Sequence, residues 1–241
     1  MASQTKGKCK YCGKEFAKGY MLRHLRSCKE RKTVLEGEMG KRKCGYFTLA
    51  ISGKYEKEYW LIVEIRDTAL LSDLDQFIRD IWVECCGHLS EFDIYGQSYE
   101  SDPVEDTFWG PPAKSMNYKL KDVLDVGMTI AYEYDFGSTT ELVIEVKDHR
   151  EGVMKNKKIQ ILSRNEPIKW ICDVCKKRAA VYIDIERYYE EGTGFLCEEC
   201  SEDEEYEDAY LSSVCNSPRM GVCGYDGSEE YSDEFIPDKE I

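Results

Sequence analysis

The chain has 241 residues, with 33 Lys+Arg against 47 Asp+Glu, and 12 Cys. At about 100–200 residues per domain, that length suits one large domain or two to three small ones. A hydrophobic content of 42% excludes a wholly disordered chain. No apolar run reaches the ~20 residues of a membrane-spanning helix, so no membrane partner is expected. The polar, basic start carries no hydrophobic stretch of a secretory signal. A reducing cytoplasm is the expected compartment, where cysteines serve as metal ligands rather than disulfides. Charge is unevenly spread: residues 1–43 hold 13 basic and 4 acidic side chains, a net of +9, and residues 198–241 hold 2 and 15, a net of −13. The basic head can meet a polyanion even though the chain as a whole is acidic.

Residues 1–32 read as a zinc finger. Cys9 and Cys12 form a CxxC knuckle, and His24 and Cys28 stand at i and i+4, on one face of a helix. Thiolates and imidazole suit tetrahedral Zn²⁺, and four protein ligands close the site, making it structural. Phe16 and Leu22 fall where a ββα finger places its packing residues. Eleven residues separate Cys12 from His24, one fewer than the usual twelve, and the last ligand is Cys rather than His. By analogy with DNA-reading fingers, Tyr20 and Arg23 lie on the exposed side near bases. Lys14, Lys18, Arg26, Lys29, Arg31 and Lys32 are candidate phosphate contacts, to DNA or RNA. Residues 33–43 follow as a linker with two Gly and mixed charge.

Residues 44–165 carry the patterns of an α+β core. Tyr46 to Ile51 and Tyr59 to Ile65 are aromatic and β-branched, with Gly53 and Lys54 between them, which predicts a β-hairpin. Ser72, with Asp75 three residues on, is the expected cap of a helix. Its Leu74, Phe77, Ile78, Ile81, Trp82 and Cys85 form one continuous apolar face, stopped by Gly87. Phe92 to Tyr95 reads as a strand, and residues 96–117, with Trp109 to Pro112, as a long loop. Met128 to Tyr134 and Leu142 to Val146 alternate as strands around an Asp135-Phe-Gly-Ser138 turn. Lys158 to Leu162 reads as a last strand. The helix is expected to cover one face of an antiparallel sheet.

The stretches Ala131-Tyr-Glu-Tyr-Asp-Phe-Gly137 and His88-Leu-Ser-Glu-Phe-Asp-Ile-Tyr-Gly96 carry a family likeness. Residues 44–165 resemble the plasmid pRi ORF-3-like family, also called the IS-element passenger, TnpR-like group. The resemblance implies a ubiquitin-like hairpin–helix–sheet core and no established activity. Typical members have a second His where Ser90 stands here, and many have an Asp-x-Trp and a His where Ser138, Thr139 and Thr140 follow. The segment from Asn216 to Gly227 resembles the tail of ribbon-bearing members.

Residues 166–212 hold Cys172-Asp-Val-Cys175 and Cys197-Glu-Glu-Cys200, 21 residues apart, slightly beyond the usual ~15–20 of a zinc ribbon. Four thiolates saturate Zn²⁺ and leave no place for a substrate water. The expected cofactor is therefore two zinc ions. The knuckles are acidic, so this end should repel phosphate, and the acidic stretch Glu202 to Asp208 reads as a solvated spacer. Residues 213–241 read as an acidic tail able to fold back on the basic head. Cys85-Cys86-Gly-His88 invites a nucleophile reading, but Cys85 on an apolar face is more simply a small hydrophobe. His149 reads as a turn residue. Cys215 and Cys223 could add a third metal site, but they lack an obvious second pair. Three functions stand open. A nucleic-acid-associated adaptor leads, with a role in mobile elements or regulation. A protein–protein scaffold with structural zinc comes second, and an enzyme with a cleft near His88, Asp93 and Asp135 third.

Overall fold

The computed structural model describes residues 5–40, 42–103 and 112–238. The expected loop residues Trp109, Gly110 and Pro111 lie outside them. The chain is α+β and divides into two units. The first takes in residues up to Arg79, His88–Glu166 and the stretch from Glu234 onward. The second takes in Asp80–Gly87 and Pro167–Asp233.

The first unit opens with β1 (Lys6–Lys8), β2 (Glu15–Ala17), α1 (Lys18–Ser27) and α2 (Lys29–Gly37). The start of the stretch read as a linker, residues 33–37, is thus the end of a helix. Then come β3 (Lys43–Gly53) and β4 (Trp60–Arg66), paired from Tyr46↔Arg66 to Ser52↔Trp60 as the hairpin pattern predicts. Gly53 is required at the turn: a Cβ there would stand 2.6 Å from the Glu56 carbonyl oxygen. Helix α3 (Leu71–Ile78) continues as a π-helical turn, Arg79–Val83. Its cap is Leu70, not Ser72: the Leu70 amide donates to Asp73 Oδ2 at 2.9 Å. Asp75, expected in a capping role, is buried instead. Its carboxylate accepts from Arg79 Nε, Ser90 Oγ and Tyr132 Oη at 2.7–2.8 Å. Leu74, Phe77, Ile78, Ile81 and Trp82 are all buried, as their spacing requires.

The remaining strands of this unit are β5 (Ser90–Ile94), β6 (Gln97–Glu100), β7 (Lys114–Ser115), β8 (Thr129–Tyr134), β9 (Thr140–Val153) and β10 (Ile159–Arg164), with α4 (Leu120–Val123) before β8. The sheet order is β10-β4-β3-β9-β8-β5-β6-β7, antiparallel except for the β6–β7 pair. Strands β6 and β7 lie in the region read as loop. Strand β9 outruns its alternating stretch and pairs along the whole of β3, with a bulge between Thr48 and Leu49. His149 is not in a turn: it lies in β9 opposite Phe47, its ring 4.7 Å from the phenyl. The β8–β9 turn is the expected one. Asp135 takes a φ of +65° and its Oδ1 accepts from the Gly137 and Ser138 amides.

The second unit is built from β11 (Tyr182–Asp184), α5 (Ile185–Glu191), β12 (Phe195–Leu196), α6 (Glu198–Ser201) and β13 (Leu211–Ser213), with sheet order β12-β11-β13. Its core gathers Ala180, Ile183, Phe195, Cys215, Met220 and Tyr225, and Trp170 stacks on Phe195 at 4.4 Å. Residues 213–233, read as an acidic tail, are part of this fold. Asn216, Ser217 and Arg219 are buried, and Ser217 Oγ donates to the Trp82 carbonyl at 2.6 Å. Charge dominates that stretch in sequence, but its few apolar residues supply half of the cluster. The acidic spacer is likewise ordered: Tyr206 is buried under Arg187, whose guanidinium bonds Glu205 at 2.6 Å.

Candidate metal centres

In the first unit the donor atoms of Cys9, Cys12, His24 and Cys28 lie within 4.8 Å of one another. The knuckle forms because Gly13 adopts a φ of +72°, letting its amide return to the Cys9 carbonyl at 2.9 Å. Helix α1 then presents His24, with Cys28 at its C-cap. Cys12 Sγ is 3.2 Å from His24 Nε2, and the imidazole stacks on Phe16 at 4.6 Å. Burial pushes the Cys9 thiol up to about 12 and raises that of Cys28. Burial also lowers the His24 imidazole. A cation supplies what such a pocket lacks, because ligation needs the thiolate and the neutral imidazole.

This finger is joined to the large sheet by its main chain. The Lys10 amide donates to the Leu162 carbonyl at 2.9 Å, and the Glu166 amide to the Lys6 carbonyl at 2.7 Å. Ser163 Oγ donates to the Lys8 carbonyl at 2.8 Å. Cys9, Tyr11, Met21, Leu25 and Cys28 share one core cluster with Trp60, Ile62 and Leu162, and Phe16 and Leu22 pack at its edge. The sequence pointed to the edge pair and missed Met21 and Leu25, the deeper side chains of α1.

Of the candidate nucleic-acid residues, Lys14, Tyr20, Arg23, Arg26, Lys29 and Lys32 are exposed. The Arg23 guanidinium sits 4.3 Å from the Tyr20 ring centre. Arg26 donates to the Lys147 carbonyl at 2.9 Å, and Lys18 bonds Ser52 Oγ at 2.9 Å and pairs with Glu145. Arg31 is turned inward: it is 8% exposed and bonds Glu64 at 3.0 Å and the Leu25 carbonyl at 3.1 Å. Beside α1 lies a groove of about 860 Å³, lined by Lys18, Lys54, Lys57 and Lys147 together with Glu58 and Glu145.

In the second unit Cys172, Cys175, Cys197 and Cys200 bring their sulfurs within 4.8 Å of one another, with Cys175 and Cys197 3.9 Å apart. Lys176 takes a φ of +53° and its amide bonds the Cys172 carbonyl, the same turn as in the finger. Asp173 Oδ2 accepts from the Gly194 and Phe195 amides at 3.0 Å and so ties one knuckle to the other. The amides of Arg178 and Lys177 lower the Cys175 thiol to about 6. Burial holds Cys200 up at about 12. A third gathering of donors was not anticipated as a set: Cys85, Cys86 and Cys223, with His88 two residues further along the chain from Cys86. The enzymatic candidates of the core are placed apart in role. His88 Nε2 faces Asp135 Oδ2 at 3.4 Å, whereas Asp93 accepts from the Gly96 amide.

The family model of plasmid pRiA4b ORF-3-like proteins matches residues 47–165. That segment belongs to this family. The match begins inside β3 and ends one residue past β10, so the finger ligands and the ribbon cysteines lie outside it. Among solved structures, the chain is similar to a protein of unknown function, MM3350, from Methanosarcina mazei Go1. The identity is 17%, coverage is 82% of this chain and 98% of that one, and the TM-score is 0.39. No curated protein matches.

Proposed function

We propose that this protein is a zinc-bound adaptor that meets nucleic acid through the basic surface around its N-terminal finger. The observation that carries this reading is the exposed basic face of α1 with Lys57 beside it, in a groove whose Lys18, Lys54 and Lys147 are paired with Glu145 and Glu141. Exposed Lys14, Tyr20, Arg23 and Arg26 extend the same positive surface. The Tyr20–Arg23 pair offers a flat face for stacking an unpaired base, worth ~1–3 kcal/mol per base. Arg31 takes no part, because Glu64 already neutralises it. Thiolate and imidazole donors favour zinc as the ion. A single finger reads about three base pairs, so binding is mainly to phosphate and sequence-tolerant.

The test is binding of duplex DNA and single-stranded RNA by fluorescence anisotropy across a salt series. Affinity should fall steeply with salt, and Lys57→Glu or Arg23→Glu should each lower the log–log slope by about 1. A flat salt response in the folded, metal-loaded protein would refute it. The runner-up, a protein-binding scaffold, is favoured by the acidic face of the second unit, where Glu198, Glu199 and Glu202 line a shallow depression.

A further inference from the structure

We infer that Cys85, Cys86 and Cys223, all in the second unit, form a third metal site. Two quartets account for eight donors, and this trio is separate from both. The sulfurs of Cys85 and Cys86 lie 3.6 Å apart, and those of Cys86 and Cys223 3.9 Å apart. Zn–S bonds of about 2.3 Å in a tetrahedron put neighbouring sulfurs about 3.8 Å apart, which these spacings bracket. The Cys175–Cys197 spacing in the ribbon quartet is the same 3.9 Å.

The backbone makes the same point independently. In two of the three CxxC turns the residue after the second cysteine is left-handed, Gly13 at φ +72° and Lys176 at +53°, whereas Ser201 after Cys200 is helical. A left-handed residue there turns the following amides toward the sulfur. Cys86 is followed by Gly87 at +76°, and Cys223 by Gly224 at +66°. The chain bends at residues 85–86, and the bend is held by the Gly87 amide donating to Glu84 Oε1 at 2.6 Å. Adjacent cysteines can thereby turn to one side. Arg219, fully buried, donates to Cys85 Sγ at 3.4 Å and fixes where that sulfur lies.

Three thiolates select a soft or borderline ion of the zinc or copper(I) class over calcium or magnesium. Unlike the two quartets, this site has solvent-exposed members, Cys86 and Cys223. Its ion therefore exchanges faster than theirs.

The experiment uses the full chain, purified reduced and zinc-supplied. Native mass spectrometry and elemental analysis should find three ions per chain, falling to two in Cys86→Ser/Cys223→Ser. Both residues are exposed, so circular dichroism of that variant should match the parent. A weak chelator should remove one equivalent first, and alkylation mapped by mass spectrometry should then rise at Cys86 and Cys223 while Cys172 and Cys197 stay protected. Two ions in the parent, three in the variant, or metal-independent alkylation of Cys86 and Cys223 would each overturn the site.

Discussion

Glu64 is a carboxylate enclosed within β4, 1% exposed, and it accepts from Arg31 at 3.0 Å, Arg150 at 2.7 and 2.5 Å and Gln160 at 2.7 Å. Burial alone would raise its pKa, but the hydrogen bonds and charges of Arg150 and the charge of Arg31 hold it below the ordinary value. A carboxyl depressed in the folded state contributes stability that is complete above its unfolded pKa and lost as pH falls through the folded one. Glu64→Gln leaves two guanidinium groups short of a counter-charge. We expect a loss of ~3–5 kcal/mol in urea unfolding at neutral pH, shrinking as pH falls below the ordinary carboxylate range and the parent loses the same charge. A pH-independent difference would mean that the charge is not what matters. Sequence alone could not separate Arg31 from its exposed neighbours. Lys29, Arg31 and Lys32 are equivalent as charges, and only the partner 33 residues away distinguishes them.

At the level of elements, β1 is held flat against the end of β10. A Cβ on Gly7 would stand 2.1 Å from the Arg164 carbonyl oxygen and 2.7 Å from the Trp60 ring. Gly7→Ala should lift the finger from the sheet at a cost of ~1–3 kcal/mol. Hydrogen exchange at the Lys10 and Glu166 amides should quicken at least tenfold while the finger keeps its ion, because the ligands begin at Cys9. Unchanged exchange would show that the strand tolerates the methyl group. Elements with a strong local period were legible. The apolar face of α3 and the alternation in β8 and β9 follow directly from side-chain spacing. The cap at Leu70 was not, because Ser72 offered a stronger cap signal than an apolar residue whose bond comes from its own amide. Strands β6 and β7 were not legible either, being short and joined across residues outside the described set. The trio of Cys85, Cys86 and Cys223 has no period at all, since 137 residues separate two of its sulfurs.

For the whole molecule, the two units differ in what supports them. The first has a sheet of eight strands among the described residues, whereas the second has a sheet of three strands, each two or three residues long. So small a core would draw its stability from an ion held by the four cysteines. Cys172→Ser should therefore abolish amide protection in β11 to β13 and leave that in β3, β4 and β9 intact. Calorimetry of the zinc-supplied parent should likewise resolve two transitions, and a strong chelator should abolish that of the second unit. Simultaneous loss of protection in both sheets would mean that the quartet governs the entire chain.

The tie between β1 and β10 also orders events during synthesis. Every finger ligand has been synthesised by Cys28, but Leu162, part of the finger's platform, follows about 130 residues later, a lag on the order of ten seconds at ~5–20 residues per second. Throughout that interval the nascent finger lacks the platform that covers Met21 and Leu25, and an ion held by its four ligands would be the constraint that keeps it compact.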